Sequence, residues 1–540
     1  MIKINQIGYE LHEDKKFFVN SSEQKLDKFQ VLNCDNQVVY EGELSGPCTD
    51  SDTGDTVYKG DFSDLEQRGN FCIVVSDFKS QQFEIEENIY SEIRDALLKA
   101  MYYQRCGIEL TEEYASYWQH GSCHEDDAYL YEEPKVHIDT TGGWHDAGDY
   151  GKYVVPAAKT VADLLLAYQF FPKAFSDDLG IPESGNGIPD LLDEVRVALN
   201  WMFKMQHKDG AVYHKVTSKN FIGMEMPENS DVKRFILPIS STATADFAAV
   251  MARAARVYQS FDQDFARKAL QGAENAGNWL LENPELKEFK NPSDVKTGEY
   301  GDGDDTDERF WAAAELFRST GDEKYHQMIK EKYNQQFSKT AIDWQHVGGY
   351  GTITYLLLEK SRRDEEIYHH LEDEFDQGVK EFLNRADQNG YGITLGNYIW
   401  GSNGVLMDQA LILIMADIIN EEDQNKYINI AQNNFNYLLG TNALDQCFVT
   451  GFGSNPIKNP HHRPSSADGI EKPVPGLVSG GPNQNLQDET LRQAVSPDTP
   501  PARAFVDAEG SHSANEITTY WNSPAVFTAA YFSSQENNIC

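Results

Sequence analysis

Positive charge is the first thing this chain lacks. Its 540 residues carry 46 Lys and Arg against 86 Asp and Glu, a formal net charge of −40 at pH 7. A field of that sign repels nucleic-acid phosphates and anionic membrane, so neither is expected as a partner, while neutral or cationic ligands are admitted. Long apolar runs are missing too. The longest, "ALILIMADII" at 410–419, is too short to span a bilayer and contains Asp417. The start, "MIKINQIGYE", has no basic stretch followed by an apolar one. No secretory signal is read there, and a cytoplasmic location is expected unless an export signal has been removed. Cysteine is sparse, and seven of them, spread from Cys34 to Cys540, fit no small disulfide scaffold.

What is present describes a large folded protein. Apolar residues make up 40% and aromatics 12%, too much for a disordered chain, and the length exceeds what one hydrophobic core usually supports. Residues 1–88 hold short β-branched or aromatic runs, among them "KKFFVN", "QVVYEGEL" and "FCIVVSD", separated by polar turns at β-sandwich spacing. They are expected to form an immunoglobulin-like all-β domain. From residue 89 to 540 the period becomes helical, as in "VPAAKTVADLLLAYQFF", "IPDLLDEVRVALNWMFKMQ" and "TATADFAAVMARAARVYQSF". Further helices are predicted near 264–282, 306–319, 322–335, 344–360, 366–384, 405–420, 423–438 and 524–534, about twelve in all. An even number of helices suggests hairpins in a double-layered α/α barrel. The loops at 120–150 and 440–515 are too long to be mere connections and are read as functional.

The chemistry sits in those loops. "GGWHDAGDYGKY" at 142–153 places Asp146 and Asp149 three apart, where ionising one opposes ionising the other. "NPHHRPS" brings His461, His462 and Arg463, and "SHSANEITTYW" places Glu516 just before the last helix. Acids set among flat aromatic faces suit a sugar polymer, and opposed carboxyl groups are what glycosidic cleavage requires.

In seven ordered motifs the sequence resembles the family nine glycoside hydrolases of cellulase type: "GGWHDAGDYGKY", "NGIPDLLDEV", "DGAVYHKVT", "TADFAAVMARAARVY", "DTDERFWAAAELF", "VTGFGSNPIKNPHHRPS" and "VDAEGSHSANEITTYWNSP". The resemblance implies a mainly α protein, an (α/α)6 barrel preceded by a small immunoglobulin-like sandwich. It implies an inverting β-1,4-glycosidase of endoglucanase type acting on glucan chains, with no organic cofactor. Asp149 looks like the general base, Asp146 its assistant on the same water, and Glu516 the general acid. His461 and Arg463 look like substrate contacts. Inversion needs acid and base about 6.5–9.5 Å apart. An intracellular exo-acting β-glucosidase or exo-β-glucosaminidase on short oligosaccharides is the alternative, and a non-catalytic carbohydrate-binding protein a further one.

Cys106, Cys123, His124 and His145 make a complete tetrahedral donor set, although the spacing is no finger pattern and equally fits buried thiols or a Cys106–Cys123 disulfide. The resemblance implies structural zinc at these four. It also implies calcium at Asp307 and Glu308, with Asp343 joining, and a second calcium site at Ser465 and Asp468. Aromatics expected along the cleft are Trp144, Tyr150, Tyr300, Trp311, Trp344, Tyr350, Trp400 and Tyr520.

Overall fold

The computed structural model describes residues 2–21, 25–126, 128–420 and 424–534. Cys540 lies outside them. The chain divides into two compact units, one of Met1–Leu98, Lys380–His461 and Glu471–Cys540, the other of Lys99–Val379 and His462–Ile470.

In the first unit, residues 2–86 form the expected sandwich. One sheet runs Ile2–Lys3, Lys16–Asn20, Thr56–Asp61, Ser45–Thr49 in spatial order; the other runs Tyr9–Glu10, Phe83–Glu86, Gly69–Val75, Lys28–Asn33, Val38–Glu43. Alternation supplies the core. Phe17 and Val19 from one sheet and Phe29 and Val31 from the other are buried, and the Phe17 and Phe29 rings meet edge to face at 4.9 Å.

The sandwich is tied to later parts of the same unit by polar contacts, one buried and two part-buried. Asn5 donates to Asn436 Oδ1 at 2.7 Å, Gly390 N–H donates to Asp50 at 2.6 Å, and Arg503 forks onto both oxygens of Asp55 at 2.8 and 2.7 Å. Removing residues 1–88 orphans all three partners at about 1–3 kcal/mol each. Calorimetry on the truncated chain is expected to show melting lowered by about 10 °C or more. Equal melting temperatures would count against this anchoring.

Among the described residues, twelve helices have nine residues or more, the number expected from the period. In the second unit, Val154–Phe170 packs on Ser241–Tyr258, Ser241–Tyr258 on Thr306–Thr320, and Thr306–Thr320 on Gly348–Leu356. Each of the first three also packs on the helix that follows it, Asp190–Met205, Gln263–Glu282 and Glu323–Lys332. This is the neighbour pattern of an inner layer with an outer layer behind it. The sequences agree. Ser241–Tyr258 is Ala-rich and buried nearly all round, whereas Gln263–Glu282 buries one stripe, Phe265, Ala266, Ala269, Ala273, Ala276 and Leu280.

Boundaries differ from expectation in two places. The last helix begins at Thr519 rather than 524, because Thr518 caps it by accepting from Trp521 N–H and Pro524 is accommodated in its second turn. The helix expected at 344–360 shrinks to Gly348–Leu356, since Asp343 turns the chain by accepting from Gln345 and His346 N–H. The apolar helix Ser402–Asn420 is long and apolar enough to cross a membrane, yet 67% of its apolar window is buried within the protein.

Candidate active site and metal centre

Two features of the second unit meet in the segment 142–153: a buried acid pair and, through His145, a cluster of metal-type donors. The backbone of the segment is fixed first. Cys106 N–H donates to Gly143 O at 2.9 Å, His145 N–H to Gln104 O at 2.7 Å, and Asp146 N–H to Gly151 O at 2.9 Å. Gly143 adopts φ +76°, and a Cβ there would meet the Trp201 side chain at 2.7 Å, so only glycine fits.

Asp146 is buried. Its Oδ2 accepts from the Tyr300 hydroxyl at 2.7 Å, and its Oδ1 is buried with no hydrogen-bond partner. Burial pushes its carboxyl well above the usual range; the Tyr300 hydrogen bond opposes this and the Asp149 charge adds to it. Asp149 accepts from Gly151 N–H at 3.1 Å and from the Tyr153 hydroxyl at 3.5 Å. The two acids are therefore held differently although they stand three residues apart. A cavity of about 20 Å³ has Asp149 in its lining, with Tyr150, Thr217, Ser218 and Phe221, and it is large enough for a water molecule.

A proton held by folded Asp146 above pH 3.8 is one the unfolded chain has released. The folded state thus binds more protons there, and stability is lost as pH rises. Asp146→Asn is accordingly expected to melt a few degrees higher than the unsubstituted chain at pH 7.5, the difference closing near pH 4. A constant difference across that range would refute the assignment.

Several residues missed by sequence reasoning hold this site. Lys215, in "VYHKVT", is buried, with its Nζ donating to Gly298 O at 2.5 Å and Thr297 Oγ1 at 3.1 Å; burial lowers its pKa to about 7, opposed by the Asp149 carboxylate. The loop carrying Phe221, itself 53% exposed, folds against the acid segment. Tyr150 donates to Glu225 O at 2.6 Å. Arg463 is buried, and its guanidinium donates to Gly148 O at 2.7 Å and Ile222 O at 3.0 Å, so it clamps the Asp149 loop to the Phe221 loop.

The aromatic expectations divide. Trp311 and Tyr350 are wholly buried and stack on each other at 4.9 Å, so neither can face a ligand. Trp144 is also buried, its indole N–H donating to Glu194 at 3.1 Å, and it is core rather than platform. Tyr150 and Tyr520 leave only an edge, each 8% exposed. Tyr300 and Trp344 are half-buried and meet edge to face at 5.0 Å, and Trp400 is exposed.

In the first unit, Glu516 is half-buried in an extended stretch between His512–Asn515 and Thr519–Ser533. A parallel bridge pairs it with His461, and its carbonyl accepts from Gly480 N–H at 2.8 Å. His461 donates through Nδ1 to Glu509 O at 2.6 Å, and its ring neighbours His512, which neighbours Trp400.

Cys106, Cys123, His124 and His145 converge, their ligand atoms all within 4.8 Å of one another. The His145 Nε2 to His124 Nδ1 distance is 3.3 Å, which is the edge of a tetrahedron with metal–nitrogen bonds of about 2.05 Å. Cys123 Sγ lies 4.0 Å from His145 Nε2, and both thiols are free rather than disulfide-bonded. The Cys123 S–H beside Cys106 pulls the Cys106 thiol well down, with Lys152 and His145 adding to this against burial.

The acids expected to bind calcium look different. Asp307 accepts from Val347 and Gly348 N–H at 2.8 and 3.2 Å, Asp343 is occupied by its own turn and by His346, and among the described residues these acids do not form a cluster of three ligand atoms. Both carboxylate oxygens of Glu308 are buried without a partner. Ser465 meets His462 Nδ1 at 2.8 Å, and Asp468 accepts from Ile470 N–H at 2.8 Å.

Known proteins match the whole chain. Residues 90–529 fit the profile of glycosyl hydrolase family 9, and residues 1–80 that of the cellulase N-terminal ig-like domain. A cellodextrinase of Butyrivibrio fibrisolvens is 36% identical over 97% of this chain and 98% of its own. A thermostable endoglucanase from Alicyclobacillus acidocaldarius superposes with a TM-score of 0.93 at 35% identity, covering 98% of this chain and 99% of the other. A Zn-binding triple mutant of the family 9 endoglucanase J30 superposes with a TM-score of 0.91 at 32% identity, covering 97% and 99%. The fold class is theirs, a mainly α (α/α)6 barrel preceded by an immunoglobulin-like sandwich.

Proposed function

The chain belongs to glycoside hydrolase family 9, and from that premise we propose that it cleaves β-1,4-glucan chains by inversion, with Asp149 as base and Glu516 as acid. The observation that carries the reading is the placement of the acid pair. Asp146 is buried and braced by Tyr300, with its carboxyl pushed up by burial, and three residues on, Asp149 lines a cavity large enough for the water that the two would share. Asp149 takes that proton as the water attacks the anomeric carbon, and Glu516 protonates the departing oxygen. Arg463 positions the Asp149 loop through Gly148. His461 and Trp400, with Tyr300 and Trp344, are read as sugar contacts.

Proton NMR of fresh cellopentaose digests tests this. The first product formed is expected to carry the α-anomeric signal; a β-anomer would mean retention and sink the assignment of Asp149 as base. Short soluble glucans are favoured over polymer by the full-length likeness to a protein named cellodextrinase. Chitosan oligomers in a parallel digest test the glucosaminidase alternative.

Zinc is assigned to Cys106, Cys123, His124 and His145 as a structural ion, because four protein donors leave no open position for water. Calcium beside Asp307 and Glu308 is supported by the unpartnered oxygens of Glu308 and of Asp246, whose charge an ion would offset.

A further inference from the structure

Away from the acid pair, arginine accumulates where the second unit's inner helices meet. Arg253 and Arg256 leave Ser241–Tyr258, Arg318 leaves Thr306–Thr320, and Arg362 follows Gly348–Leu356. One carboxylate, Glu315, stands among them. Its Oε1 is taken by Arg253 and by the Thr354 hydroxyl at 2.6 Å, and its Oε2 by Arg256. Arg362 turns to the carbonyls of Phe317 and Arg318 at 2.6 and 3.0 Å. Four guanidinium groups thus gather around one acid that bonds only two of them, in a chain whose net charge is −40.

Arg318 is the one left over. Half-buried, it has no side-chain hydrogen bond or ion pair among the described residues. Burial, then the Arg256 charge, lowers its pKa to about 10. A cation in a helix's last turn is ordinary, because it faces the terminal carbonyls. That accounts for a charge at this position but not for the hollow beside it. A cavity of about 450 Å³ opens there, lined by Arg318, Arg256, Tyr168, Gln169, Ser260 and Phe261 among others. Asp262, the acid next to Phe261 in sequence, is already occupied by Arg196 at 2.8 Å and by Phe265 N–H at 3.0 Å.

We propose that this cavity is a second binding site, separate from the acid pair, for a small organic oxyanion. Its carboxylate or phosphate head sits on Arg318, with Arg256, already bonded to Glu315 and Ser319, adding its charge from behind, and its ring lies against Tyr168 and Phe261. Planar guanidinium matches either head group by paired N–H donors, and the volume suits a ring-sized body. The neutral glucans of the proposed reaction have no such head, so the ligand is of a different chemical class.

Titration calorimetry at fixed ionic strength tests this on the full chain with inorganic phosphate, phenyl phosphate, benzoate and, as the neutral control, phenol. At least one ring-bearing anion is expected to bind at millimolar concentration or below, phenol not at all, and phenyl phosphate against benzoate separates the two head groups. Arg318→Gln is expected to weaken binding by about tenfold or more. Ser260→Glu, at an exposed rim position, is expected to abolish it while cellopentaose hydrolysis stays unchanged. Equal affinity in Arg318→Gln, no binding by any anionic probe, or inorganic phosphate binding as tightly as phenyl phosphate would each overturn the proposal.

Discussion

Glu516→Gln is expected to lower kcat on cellopentaose by about a thousandfold while KM stays within a few-fold. The amide is isosteric with the acid, so the backbone pairing of Glu516 with His461 and Gly480 should survive. What is lost is the proton for the leaving oxygen. The decisive comparison is between leaving groups. A dinitrophenyl cellobioside departs as a stable phenolate and needs no acid, so the variant should lose little on it and almost everything on cellopentaose. Asp149→Asn should lose both, because attack of water is impaired whatever departs. If Glu516→Gln lost activity equally on the two substrates, Glu516 would not be the acid. If Asp149→Asn kept the activated substrate, Asp149 would not be the base.

How much of this could be read from residues depends on the range over which each feature is determined. Helix number followed from apolar spacing, because a 3.6-residue period survives any packing of the helices. The sandwich was legible for the same reason at period two. The acid pair stood out because Asp146 and Asp149 are close in sequence. What sets Asp146 apart did not: it comes from burial in the folded chain, and the hydrogen-bond partner of Asp146, Tyr300, is 154 residues away. Trp311 and Trp344 read alike in sequence, yet one is core and the other half-exposed, and only the neighbouring inner helix decides which. The clamping bonds of Arg463 were not legible, because its acceptors, Gly148 and Ile222, are backbone atoms that no side-chain pattern announces. The same holds for Glu315, whose three partners arrive from two other helices.

Removing metal from the Cys106, Cys123, His124 and His145 cluster should reach the acid pair through one peptide bond, that between His145 and Asp146. The cluster joins two stretches, 104–106 and 143–145, that are otherwise paired by the bonds from Cys106 N–H to Gly143 O and from His145 N–H to Gln104 O. Two backbone bonds at about 1 kcal/mol each hold a segment only weakly, whereas a structural zinc contributes far more than that to the folded state. His124 is also held at φ +49°, a left-handed conformation that costs of order 1 kcal/mol and needs something to retain it. Elemental analysis is expected to give one zinc per chain, and none for a Cys106→Ser, Cys123→Ser double variant. The variant and the chelator-stripped chain should melt well below the zinc form and lose about ten- to a hundredfold in kcat, and added zinc should restore only the stripped chain. Cys447→Ser, a buried thiol outside the cluster, controls for the loss of a thiol as such. If the stripped chain kept both its melting temperature and its kcat, the pairing of 104–106 with 143–145 would suffice to place Asp146, and the metal would have no part in holding the catalytic loop.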